Sequence, residues 1–208
     1  MAATASSAML AFRVLTDGSV NRGNGQIDGW EGIAIDDLRV ITRPGQANQS
    51  VRVLSNFTDV PVLGQGVNLS NTSAANEWAW TSNLGANGPS FWNASFETGR
   101  MVPRGWSIEQ IRGEGWEVGT LPSTTTSGPT SWTSGSQGVG IVLDGDYVAE
   151  SLAYLVSPTY SIPENASARL TFRSWVCTET DWDGGALQVS TDDGATWWFP
   201  DRKSTRLN

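Results

Sequence analysis

A chain of 208 residues can hold one large β domain or one and a half ordinary ones, and 23 glycines and 11 tryptophans with only 16% charged residues fit a turn-rich sheet protein. A net charge of −8 leaves no basic stripe to neutralise phosphates, which argues against nucleic acid as a partner and disfavours anionic membrane surfaces. Histidine is absent, so the commonest general base and the commonest zinc ligand are missing together.

No stretch keeps apolar residues at i, i+3, i+4 and i+7, so almost no helix is expected. No apolar run reaches the roughly 20 residues needed to span a bilayer, so no membrane insertion is expected either. The opening MAATASSAML lacks the basic n-region and apolar core of a signal peptide.

MLAFRVLTD (9–17) reads as a first strand and EGIAIDDLRVI (31–41) as a second, joined by a Gly/Asn connection and punctuated by Pro44 and Gly45. The second strand changes phase in its middle. Ile33 and Ile35 keep one parity and Leu38 and Val40 the other, with Asp36 and Asp37 between them. A β-bulge produces such a slip and re-aims one carboxylate without disturbing the apolar face. SVRVLSNFTDVPVL (50–63) is a further strand candidate pushed to an edge by Pro61, and 64–77 reads as loop or linker.

From residue 78 a second unit begins. GWSIEQIRGEGWEVGT (105–120) supplies short strands, and TLPSTTTSGPTSWTSGSQG (120–138) is a long Ser/Thr/Gly loop. GVGIVLDGDYV, SLAYLVSPTYSI, ARLTFRSWVCTE and GGALQVSTDDGATWWF follow as strands spaced by turns, with Asp144 and Asp146 in one of those turns. Strands of this length and spacing predict an all-β antiparallel sandwich. Trp106, Trp116 and Trp175 are expected in its core. Cys177, the one cysteine, is expected as a buried strand thiol.

The tail DRKSTRLN (201–208) carries three basic residues in eight, breaks the composition, and looks like the translation of a common sequencing adapter. It is expected to be artefactual, the natural protein continuing beyond Pro200. The pattern Asn-x-Ser/Thr at Asn48, Asn56, Asn68, Asn71, Asn93 and Asn165 adds weak support for an exported protein.

Three stretches of the second unit, NASFETG…PRGWSI…GWEVGT, YLVSPTYSIPENASARLTFRSW and TETDWDGGALQVSTDDGATWW, carry a family pattern in order. Over roughly residues 93–200 the chain resembles the MAM-like jelly-roll modules of secreted bacterial and archaeal proteins, such as those attached to immune-inhibitor-A-type metallopeptidases. Such modules end in F-R-x-x-S/T-D-G followed by G-W-x-I-D-D and a hydrophobic residue. Here that ending stands at the front, as FRVLTDG (12–18) and GWEGIAIDDLRV (29–40). The resemblance therefore implies tandem modules cut out of frame: 1–43 the closing strands of one, 44–87 a linker with short strands, 88–200 a second, truncated module. An alternative is that the first strands fill the vacancy in the second unit, completing one sandwich by permutation. In related jelly rolls the acidic pair of the last strand meets a glutamate of the first to hold structural Ca²⁺, which by motif implies Asp36, Asp37 and Glu97. A solvated strand end is the bland alternative for that pair.

Two further constellations are local. STDDGATW (190–197) fits the Asp-box S-x-D-x-G-x-T-W: Ser190 opens it, Asp192 bonds the turn backbone, Gly194 takes positive φ and Trp197 packs back across the hairpin. In TETDWDGG, Glu179 and Asp183 are candidates for a second cation site, against a solvated turn. Asp181 completes the knot, and its members stand too close in sequence to flank a sugar as a glycosidase pair does. Trp132 in the Ser/Thr loop and Trp182 beside the acidic turn are the candidate exposed rings for a sugar face.

Three functions follow. The first is a non-catalytic module, extracellular or at the cell surface, for adhesion, substrate docking or spacing in a larger protein such as a peptidase. It would bind an extracellular protein or a glycan beside neighbouring modules, with calcium as its structural cofactor. The second is a carbohydrate-binding module. The third, a sialidase-like enzyme, rests on the single Asp-box.

Overall fold

A computed structural model describes residues 7–18, 32–44, 67–69, 79–80, 90–94, 96–121, 129–162, 166–179 and 182–199. The strand candidate at 50–63, the tail at 201–208, Asp181 and the sequons at Asn48, Asn56, Asn71 and Asn165 lie outside these residues. The strands are β1 (Ser7–Leu15), β2 (Gly32–Pro44), β3 (Val67–Leu69), β4 (Ala79–Trp80), β5 (Ser90–Ala94), β6 (Ser107–Arg112), β7 (Trp116–Gly119), β8 (Gly138–Ile141), β9 (Leu152–Val156), β10 (Tyr160–Ser161), β11 (Ala166–Cys177) and β12 (Gly184–Ser190). No helix occurs among the described residues. β3 falls inside the run read as linker, and Asn68 and Asn93 belong to β3 and β5.

All pairings are antiparallel and form two sheets. The first runs β3-β12-β1-β9-β6, with β10 also on β1; the second runs β4-β11-β2-β8-β7, with β5 also on β2. β1 and β2 thus lie inside the sheets, each flanked by strands from far along the chain.

The period-2 pattern explains how the sheets stack. In β1, Leu10, Phe12 and Val14 point into the core between the sheets. From the second sheet Ile33, Ile35, Leu38, Phe172 and Val176 meet them, and the rings of Phe12 and Phe172 touch edge-on at 5.0 Å. Trp106 and Trp116 join the same core. Trp175 and Cys177, on the opposite parity of β11, form a second buried cluster with Ala34, Leu143 and Trp132. The second sheet is therefore covered on both faces.

The phase slip in β2 is a bulge. Thr171 pairs with Arg39 and Arg173 with Asp36, so Phe172 alone faces both Asp37 and Leu38. Asp37 takes φ +48°, a left-handed conformation that Asp tolerates better than branched residues do. The extra residue returns Leu38 to the core side and leaves Asp36 on the opposite face, fully buried.

Candidate functional site

Among the described residues, one group of three acids sits where the chain passes from one sheet to the other. β11 ends at Cys177 in one sheet, and β12 begins at Gly184 in the other. Register places Leu15 opposite Gly184, so Asp17, just past the end of β1, arrives beside Asp183. One carboxylate oxygen from each of Asp17, Glu179 and Asp183 lies within 4.8 Å of the other two.

Asp183 is buried and well held. Its Oδ1 accepts the backbone N–H of Asp17 (2.7 Å), and its Oδ2 accepts the Tyr147 hydroxyl (2.7 Å). That hydroxyl in turn accepts the N–H of Glu179 (2.9 Å). Thr178 Oγ1 donates to the Asp183 carbonyl (3.1 Å), closing the crossover on itself. Burial pushes the Asp183 carboxyl above its ordinary value. The two hydrogen bonds oppose that shift, and the negative charges of Asp17 and Glu179 reinforce it. Three hard oxygen donors, one of them desolvated, form a group that can bind a metal.

The carboxylates that the family resemblance nominated are arranged differently. Asp36 Oδ2 accepts Thr133 Oγ1 (2.7 Å) and the N–H of Ser134 (2.8 Å), while Oδ1 accepts the N–H of Asp37 (2.7 Å) and Ser134 Oγ (3.2 Å). Asp37 is half-buried, its side chain 17% exposed under the fork of Arg39, with Nε–Oδ1 at 2.9 Å and Nη2–Oδ2 at 3.0 Å. Glu97 is exposed and accepts the N–H groups of Ser136 (2.9 Å) and Gln137 (2.7 Å) and the Ser136 hydroxyl (3.1 Å). The slight burial of Glu97 works to raise its carboxyl, but the N–H groups of Gln137 and Ser136 and the Ser136 hydroxyl hold it below the usual value. The three carboxylates are not gathered into one ligand set; protein donors and an arginine already engage them. Asp36 and Glu97 instead grip one loop, residues 133–137, from two sides.

That loop corrects the expectation for Trp132. Its ring is only 6% exposed and packs on the outer face of the second sheet, with Trp175, Cys177, Ala34 and Leu143. A Cβ on Gly138 would fall inside the Trp132 ring, so the close approach requires glycine there. Trp182, by contrast, is 61% exposed at the acidic crossover.

The Asp-box forms a tight turn after β12. Ser190 Oγ donates to Asp192 Oδ1 (2.7 Å) and accepts the N–H of Gly194 (2.9 Å). Asp192 also accepts the N–H (2.9 Å) and hydroxyl (2.5 Å) of Thr196. Gly194 has φ +86°, with the Trp197 ring in contact range, and Val189 bridges to Trp198 beyond the turn. The Ser190 and Asp192 side chains are spent on the turn itself, while Asp193 Oδ1 accepts the Thr159 hydroxyl (3.2 Å) from outside it.

Set beside known proteins, the chain is 34% identical over 102 residues to Bacillopeptidase F of Bacillus subtilis (strain 168). The matched stretch is 49% of this chain and 7% of that protein. No family model and no solved structure matches the chain. The likeness is to a small part of a long peptidase.

Of the acidic group, Glu179 and Asp183 are legible in TETDWDGG, whereas Asp17 is not. The usable signal for Asp17 is the TDG that closes FRVLTDG, an acid at the end of a strand. It points to Asp183 only once β1 and β12 are known to be neighbours.

Proposed function

We propose that this chain is a non-catalytic, extracellular β-sandwich module of a larger protein, a peptidase in the first instance, and that it serves docking or spacing. The observation that carries the reading is the likeness of half this chain to 7% of a peptidase, which is the proportion of an accessory module to its parent. The two-sheet sandwich agrees with it. So does the use of Asp36, Glu97 and Asp192 to fasten loops rather than to face a cleft. No helix among the described residues is long and apolar enough to cross a membrane.

Within that module Asp17, Glu179 and Asp183 hold a structural Ca²⁺, locking the crossover to the end of β1. Calcium is preferred because every side-chain donor is a hard carboxylate oxygen, a set that suits neither zinc nor copper. The purified chain should hydrolyse neither casein nor a fluorogenic sialoside. Turnover of either would overturn the module reading.

A second reading keeps one specific support. Trp182 presents an exposed ring beside carboxylates, the pairing of stacking face and hydrogen-bond acceptors that sugar sites use. Retention on insoluble polysaccharide that is lost in Trp182→Ala would favour a carbohydrate-binding module over protein docking.

A further inference from the structure

One flank of the sandwich combines open strand edges with apolar surface and negative charge. Among the described residues β6 pairs only with β9 and β7 only with β8, so both sheets end on this side. Between the two edges lies a groove of about 750 Å³, within the size range of ligand sites. Ile108, Trp116 and Val118 line its interior, and Met101, Glu117 and Asp144 stand at its rim.

Open edges are usually blunted by charge or covered. Here Met101 is 69% exposed, and Ile111, the bulged residue of β6, is 61% exposed. The rim also holds more negative charge than Arg100 offsets. Glu117 is raised above its ordinary value, first by partial desolvation, then by the charge of Asp144 and, more weakly, of Glu114. The N–H of Leu143 and the Arg100 guanidinium act the other way. A cation placed at the rim would relieve this repulsion, and an apolar side chain next to it would fill the interior.

We infer that this groove docks an extended segment of a partner polypeptide, one that alternates lysine or arginine with aliphatic side chains and adds as a strand along β7. Backbone pairing supplies affinity in such additions and the alternating side chains supply selectivity. The inference rests on the docking role proposed above and gives it a surface and a partner chemistry.

The test uses the full chain and a capped, fluorescein-labelled probe, Thr-Lys-Val-Lys-Val-Thr, in fluorescence polarisation. A glutamate-for-lysine version and one with proline in place of the first valine are the comparison probes. The lysine probe should bind. Glu117→Lys and Asp144→Lys, both on exposed side chains, should each weaken it about tenfold. Asp193→Lys, the same charge change on the Asp-box turn, whose carboxylate bonds Thr159 and does not line the groove, should alter it less than about twofold. The proline probe, which lacks the N–H needed for pairing, should bind at least about tenfold more weakly. Absence of binding, equal binding of the glutamate probe, equal loss in Asp193→Lys or undiminished binding of the proline probe would each overturn the inference and leave the module reading standing. Cleavage of the probe, read by mass, would instead overturn the module reading and the inference with it. Thermal melts of the variants establish that any loss is not unfolding.

Discussion

Asp192 shows how much a single exposed carboxylate can organise. The side-chain hydroxyl and N–H of Thr196 and the hydroxyl of Ser190 hold it at about 2, below its ordinary 3.8. A carboxyl depressed on folding adds stability above its unfolded pKa and loses it as pH falls through the folded one. The melting temperatures of the parent and Asp192→Ala should therefore differ by a constant amount above about pH 5 and converge between about pH 4 and 2. A gap that persists at pH 2 would mean the box is held by packing of Trp197 rather than by the carboxylate. Phe12 makes the apolar counterpart. It is fully buried at the contact between sheets, so Phe12→Ala should cost about 3–5 kcal/mol in chemical denaturation. A loss below about 1 kcal/mol would show that the two sheets do not pack through it.

The loop at 133–137 illustrates how strands and loops depend on each other. Asp36 is buried and receives donors from Thr133 and Ser134, whereas Glu97 is exposed and receives them from Ser136 and Gln137. Removing a buried acceptor strands its donors, while an exposed acceptor is readily replaced by water. Asp36→Ala should therefore cost about 2–4 kcal/mol and speed hydrogen exchange across 129–138, and Glu97→Ala should cost less than about 1 kcal/mol. Equal costs would mean that the apolar seat of Trp132 alone holds the loop. The bulge that puts Asp36 there was legible in the sequence, because Ile33, Ile35 and Leu38 announce a change of parity. The burial of Trp132 was not. A Ser/Thr/Gly-rich loop reads as exposed, and nothing local reveals that Trp175, Cys177 and Ala34 give the second sheet an apolar outer face needing a cover. Strand existence follows from local alternation; what lies over a strand follows from topology.

Topology is also what hides the acidic crossover from sequence reading. The all-β class and the two sheets follow from composition and from β-periodic runs such as MLAFRVL and RLTFRSWVC. The meeting of Asp17 with Asp183 needs a pairing between positions 166 residues apart, and one of the crossovers between the two sheets, from β11 to β12, lies at that meeting. Because the Asp183 carboxyl is raised by folding, its contribution to stability is present below its ordinary pKa and lost as pH rises through the raised one. At neutral pH without metal this carboxylate therefore supports the fold less than its protonated form does at low pH. Asp183→Asn should leave the melting temperature in EDTA unchanged or higher at pH 7, with that advantage vanishing towards pH 3. A bound divalent cation reverses the balance by offsetting two of the three negative charges and relieving their mutual repulsion. For a site with Kd of about 10⁻⁴ M, 10 mM Ca²⁺ should add about 2.7 kcal/mol, and Asp183→Asn should forfeit that increment. Magnesium, which demands tighter octahedral geometry, should add less. A parent protein with identical melts in EDTA and in 10 mM Ca²⁺ would show that the three carboxylates hold no calcium, and that the Tyr147 and Asp17 hydrogen bonds alone hold Asp183 at the crossover.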